Sequence, residues 1–132
     1  MSLTYALEKI SYIEYINDDL YVEYTIEELP SSRATYHKAG RKTAKLKNGS
    51  TVLWTVTVTG EFSYTGSTSI CTKSTVSTTC PAKAWKITSK SASKSGASAI
   101  AKATGKHYQN NVVIGSRTQS VVLTCGSDGT LY

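Results

Sequence analysis

The sequence predicts an all-β protein, an antiparallel β-sandwich of seven to nine short strands, opening with a β-hairpin. Three observations predict it. Ser and Thr occupy 18 and 19 of 132 positions, and β-branched Thr suits a pleated surface better than a helix. From Val52 the even positions run Val52, Trp54, Val56, Val58, Gly60, Phe62 and Tyr64, between odd positions that are mostly Thr, Ser and Glu. That period of two marks a strand with one buried and one wet face. Turn formers punctuate the chain at short intervals, as a sandwich or barrel requires. Apolar residues make up 39% of the chain, and their alternation argues against the disorder that Ser/Thr richness would otherwise suggest.

Taken in order, Leu3, Leu7, Ile10 and Ile13 fit a helical stripe. The β-branched and aromatic residues of 10–16 instead favour the first arm of a hairpin. Asn17-Asp18-Asp19 turns the chain, and Leu20, Val22, Tyr24 and Ile26 alternate with Tyr21, Glu23, Thr25 and Glu27. Pro30-Ser31-Ser32 reads as a linker, dividing a hairpin segment, 1–30, from a sandwich body, 31–132. Asn48-Gly49 is the strongest hairpin signal, joining 43–47 to the long strand from Val52. Gly60 within that strand predicts a bulge or a bend where the strand passes from one sheet to another. Shorter strands are expected around Ile70-Cys71-Thr72, Thr75-Val76-Ser77, Trp85-Lys86-Ile87, the alternating Ala97 to Ala103, Val112-Val113-Ile114 and Ser120 to Cys125. Residues 88–96 read as a low-complexity loop and 105–111 as another. No repeat period is present.

The net charge of +6 conceals a division. Residues 1–30 hold seven acids (Glu8, Glu14, Asp18, Asp19, Glu23, Glu27, Glu28) and Lys9, giving −6; residues 31–132 hold fourteen bases, Glu61 and Asp128, giving +12. Either the acidic segment lies across part of the basic body, or the basic face is left open to an anionic partner. No apolar run is long enough to span a membrane as a helix. The start lacks a basic region followed by an apolar one, and Met1-Ser2-Leu3 reads as an expression-vector remnant. The segment is therefore expected to be a mature one, secreted or at the cell surface, whose export signal was removed in cloning.

Cysteines stand at 71, 80 and 125. Their spacing, and His37 and His107 in polar surroundings, do not suit a metal site. A disulfide is the better reading. Chain entropy gives a Cys71–Cys125 crosslink roughly 4 kcal/mol, against about 2.6 kcal/mol for Cys71–Cys80, with Cys80–Cys125 nearly as favourable as the first. Cys71 is preferred because it lies in a strand-like run, whereas Cys80 precedes Pro81. The order Cys71, Trp85, Cys125 matches the immunoglobulin pattern of a Trp packed on an inter-sheet disulfide. Leu123 where a corner tyrosine would stand, and only seven residues after Cys125, depart from it.

Several stretches together resemble a family of small secreted proteins from Gram-positive, Clostridium-like anaerobes. They are Asn48-Gly49-Ser50-Thr51-Val52-Leu53-Trp54, Val58-Thr59-Gly60-Glu61-Phe62-Ser63-Tyr64-Thr65-Gly66, Ile70-Cys71-Thr72, Ala84-Trp85-Lys86, the Ser/Lys run of 89–96, and Val122-Leu123-Thr124-Cys125. The resemblance covers about residues 10–132. It implies export and a shared fold, leaves Cys80 as the unpaired cysteine, and implies no activity.

Catalytic readings fail. Ser91-Ala92-Ser93-Lys94 matches S-x-x-K without its partner motifs. Glu61 and Asp128, in different elements, do not make a glycosidase pair, and no nucleophile elbow accompanies either His. The expectation is a non-catalytic protein without a cofactor. The most physical functional signal is Lys38, Arg41, Lys42, Lys45 and Lys47, joined by Lys83, Lys86, Lys90 and Lys94. Such a face would bind an anionic wall polymer or acidic glycan, with Tyr36 and Tyr108 as stacking surfaces. The same lysines would also serve as solvated strand edges that block aggregation. Nucleic acid is not expected, because aromatic residues do not interleave with the charges. An effector or inhibitor that engages an extracellular protein is the alternative.

Overall fold

In the computed structural model, which describes residues 8–30 and 36–132, eight antiparallel strands form two sheets. They are β1 (Glu8–Tyr15), β2 (Leu20–Leu29), β3 (His37–Asn48), β4 (Thr51–Tyr64), β5 (Ser69–Thr79), β6 (Trp85–Ser95), β7 (Ser98–Gln109) and β8 (Val112–Thr124). Sheet order is β1-β2-β3-β4-β5 against β6-β7-β8. The expected remnant at 1–3 and the linker residues Ser31 and Ser32 lie outside the described residues.

Local chemistry sets the turns. The Asn17 side chain accepts the backbone N–H groups of Asp19 and Leu20, each at 2.9 Å, closing the β1–β2 hairpin. The β3–β4 connection is centred on Gly49 and Ser50, one residue later than the Asn-Gly signal suggests, with Gly49 at φ 60°. Asn110 and Asn111 both take positive φ between β7 and β8, as a tight primed turn requires.

The core lies between the sheets. Val22, Leu46, Trp54, Val56, Val58 and Phe62 face Ala99, Ala101, Ala103, Val121 and Leu123. The alanine row on β7 lets the sheets approach closely. A Cβ placed on Gly60 would stand 2.9 Å from the Ala99 Cβ, and one on Gly105 would stand 2.7 Å from the Trp54 ring. Trp54 therefore lies over the floor that Gly105 leaves open.

Several expectations need correction. Residues 8–15 are strand, so the helical stripe is not realised from Glu8 onward. Residues 88–95 are strand rather than loop, and β7 and β8 continue through the supposed loop of 105–111 to a two-residue turn. β6 is an edge strand exposed along 88–95 and has no apolar alternation to display, and the turn-proximal ends of β7 and β8 likewise show none. The segments 70–72 and 75–77 are one strand, β5. At Gly60 the register shifts between Glu61 and Phe62, but β4 stays within one sheet. Two meanders replace the crossed connections of immunoglobulin topology. Cys71 on β5 and Cys125, just past the end of β8, do lie close together, their N–H groups donating to the consecutive carbonyls of Gly96 and Ala97. The expected Cys71–Cys125 bond is nonetheless not formed. All three cysteines are free, because the Cys71 and Cys125 thiols turn to the carbonyls of Lys73 and Gly126.

Candidate anion-binding face

The acidic segment lies on the basic body as its first hairpin. β2 pairs with β3 along its whole length, in a register that sets Glu27 opposite Arg41 and Glu23 opposite Lys45. Arg41 binds Glu27, Lys38 Nζ lies 3.2 Å from Glu28, and Lys47 Nζ lies 3.8 Å from Glu23. Lys42 faces the interior between Ile26 and Val58 and is 8% exposed. Only Lys45 of the five sequence candidates stays on the outer face without an ion pair among the described residues. Lys38, Arg41, Lys42, Lys45 and Lys47 therefore make no open anionic-ligand face. Their sequence neighbours are basic, but the acids of β2 reach Lys38, Arg41 and Lys47, and Lys42 turns inward.

Most of the open charge lies on the other sheet. Residues 62–127 contain eight bases and no acid, and none of the eight forms an ion pair among the described residues. Directly opposed residues of an antiparallel pair project to one side. Because Ala99, Ala101, Ala103 and Gly105 point inward, the intervening β7 residues and their partners form the outer face. Across β6, β7 and β8 it reads Lys86–Lys106–Ser116, Ser89–Thr104–Thr118, Ser91–Lys102–Ser120 and Ser93–Ile100–Val122. Thr104 and Thr118 hydroxyls meet at 2.8 Å, leaving rows of hydroxyls between the ammonium groups. At one end Lys86 Nζ lies 5.4 Å from the centre of the Tyr108 ring, which holds the lysine stem against an aromatic face.

Like charges directly opposite one another destabilise a sheet. Lys86 and Lys106 are so opposed, and Lys102, four residues along β7, stands about 13 Å from Lys106. The face is thus a hydroxylated surface with a cation pair at one end and a third cation two rows away.

Of the remaining candidates, Lys94 Nζ donates to the Thr72 carbonyl at 3.3 Å, and Lys83 and Lys90 are exposed outside this face. Tyr36 is 54% exposed and packs edge-on against Tyr64, far along the chain from Tyr108. Ser63 Oγ meets His37 Nδ1 at 3.3 Å, whereas His107 stacks on Trp85 at 4.8 Å. Asp128 accepts the Thr130 N–H, which holds its carboxyl below the usual range. Lys102 and Lys106 were not singled out by sequence reasoning, which followed local charge density. The long acid-free stretch of 62–127 was the signal that pointed to them. No family model matches this chain, and neither a curated protein nor a solved structure is significantly similar to it.

Proposed function

We propose that the protein is a secreted or cell-surface, non-catalytic binding module that holds an anionic polymer, a wall polymer or acidic glycan, on the outer face of β6-β7-β8. The observation that carries this reading is the directly opposed pair Lys86 and Lys106 on three strands that lack any acid. Such an arrangement costs folding energy in isolation and is relieved by an external anion. Ser and Thr rows offer donors to phosphate, sulfate or sugar oxygens between the charges. Extracellular residence is supported by the resemblance to secreted Gram-positive proteins and by a surface wetted more by hydroxyls than by ions.

The test compares retention on immobilised wall polymer and on an acidic glycan for the natural protein and a K86Q/K102Q/K106Q variant. Each exposed charge contact is worth about 0.2–1 kcal/mol, so the triple change should weaken binding on the order of tenfold. Retention should also fall steeply with salt. Equal retention of the variant overturns the reading. A second reading, engagement of an extracellular protein, is favoured by Val112, Val113 and Ile114 at the β7–β8 tip, which are 61%, 45% and 51% exposed. Under it V113T/I114T, and not the lysine variant, abolishes capture of the partner.

A further inference from the structure

The interior-facing Lys42 has no counterpart in the outer face. Its neighbours in register, Ile26 and Val58, are apolar, and the position belongs to the alternation that elsewhere on β3 buries Ala44 and Leu46. An ammonium placed there is desolvated, and burial pushes its pKa below the ordinary lysine value. Among the described residues no carboxylate is bonded to it, although β2 supplies Glu23, Glu27 and Glu28 to three other cations of the same strand.

What surrounds it is aromatic and rigid. Tyr12 of β1 stacks on Tyr24 of β2, ring centres 4.3 Å apart and planes 20° from parallel. Lys42 Nζ lies 5.4 Å from the Tyr12 ring centre and 5.8 Å from that of Tyr24. The Tyr24 hydroxyl accepts from Gln119 Nε2 of β8 at 2.6 Å. Gln119 Oε1 in turn accepts from Arg117 Nε and Nη2 at 3.1 and 3.0 Å. The platform is therefore anchored to both sheets through the Tyr24–Gln119 hydrogen bond between β2 and β8. Tyr12 is 49% exposed.

We infer that Tyr12, Tyr24 and Lys42 form a second binding site, for a carboxylated pyranose such as a hexuronate residue. An aromatic ring with one open face suits the C–H face of a pyranose. A partly dehydrated ammonium at the ring edge supplies a charge-assisted bond to a carboxylate, and it distinguishes an acidic sugar from a neutral one. Among the described residues Lys42 has the two tyrosine rings and no carboxylate as partners, and the cost of its burial is recovered when a ligand brings the anion. The site is separate from the outer face and does not depend on it.

Calorimetric titration with trigalacturonate, and with neutral trigalactose and acetate as controls, tests the site. The natural protein should bind trigalacturonate, and K42M and Y12A should each lose at least tenfold in affinity. In the K86Q/K102Q/K106Q background, which removes the outer-face contribution, trigalacturonate should still bind and K42M should abolish that remaining binding, and trigalactose and acetate should bind at least tenfold more weakly. K42M should melt at the same temperature as the natural protein or higher. The inference is overturned if trigalacturonate does not bind or binds no better than trigalactose. It is also overturned if only the outer-face variant loses affinity, or if K42M lowers the melting temperature and leaves binding intact, which marks Lys42 as a structural clamp. Y12A, which changes a half-exposed ring, keeps the test open should K42M fail to fold.

Discussion

Replacing Gly105 by Ala tests how closely the two sheets are packed. The added Cβ would stand 2.7 Å from both Cε2 and Nε1 of Trp54, about 1 Å inside an ordinary carbon contact. Trp54 is 1% exposed, so the indole has no free space to retreat into. Overpacking of this kind costs about 1–3 kcal/mol, and the backbone entropy gained by removing a glycine returns roughly 0.4–1 kcal/mol. The net loss is about 1–2 kcal/mol, or on the order of 3–10 °C in Tm for a chain of this size. Thermal melts of G105A, W54F and the double variant form the assay. W54F alone should be milder than an ordinary core truncation, because Trp54 Nε1 is buried without a hydrogen-bond partner among the described residues and its removal deletes that cost. In the W54F background G105A should cost less than half of its cost in the natural protein, a coupling on the order of 1 kcal/mol. A G105A protein that melts higher than the natural one, or losses that simply add, would refute the close approach.

Three further outcomes are expected. The E23Q/E27Q/E28Q variant releases Lys47, Arg41 and Lys38 and should bind a cation-exchange resin through higher salt. Each of these partly exposed pairs contributes about 0.2–1 kcal/mol, so its Tm should fall only slightly, and unchanged elution would contradict the pairing. Burial, followed by the charge of Tyr12, pushes the Tyr24 hydroxyl up to about 12 from 10.0. The folded state therefore holds that proton more tightly than the unfolded chain, and stability present below pH 10 is lost as pH rises through 12. Y24F should flatten that alkaline limb of the stability curve, and an unaltered limb would refute the assignment. Thiol titration of the denatured protein without reductant should find three sulfhydryls. In the native state Cys71 and Cys125, 2% and 1% exposed and with pKa values raised by burial, should react far more slowly than in the denatured chain. Equal rates would contradict their burial.

The core strand was legible because Val52 to Tyr64 alternates, Leu53 apart, and the side carrying Trp54, Val56, Val58 and Phe62 is dry. The β1–β2 hairpin was legible for the same reason, reinforced by Asn17. β6 was not, since Ser, Lys and Ala wetted on both sides satisfy neither a strand nor a helix template. Its ladder is supplied by β7, a partner that periodicity cannot reveal. The site was half legible. Acids and bases divide cleanly along the chain, and that predicted their contact. Which lysines the acids would cover depends on the register of β2 against β3, however, and a shift of one residue would have turned every pair to the opposite face. Lys42 shows the limit from the other side: in a basic run it reads as one more solvated cation, and only the alternation of its neighbours places it inside.

The consecutive pairing of strands also bears on how the chain reaches this form. Every ladder joins an element to the next one in sequence, so each can zip as soon as its partner has been synthesised, with short loops to close. Interlocked sandwiches must wait for distant partners and fold slowly for that reason. Here the long-range step is a single docking of two preformed ribbons, with Trp54 settling above Gly105. The protein should fold faster than crossed sandwiches of equal length, and vectorially from whichever end emerges first.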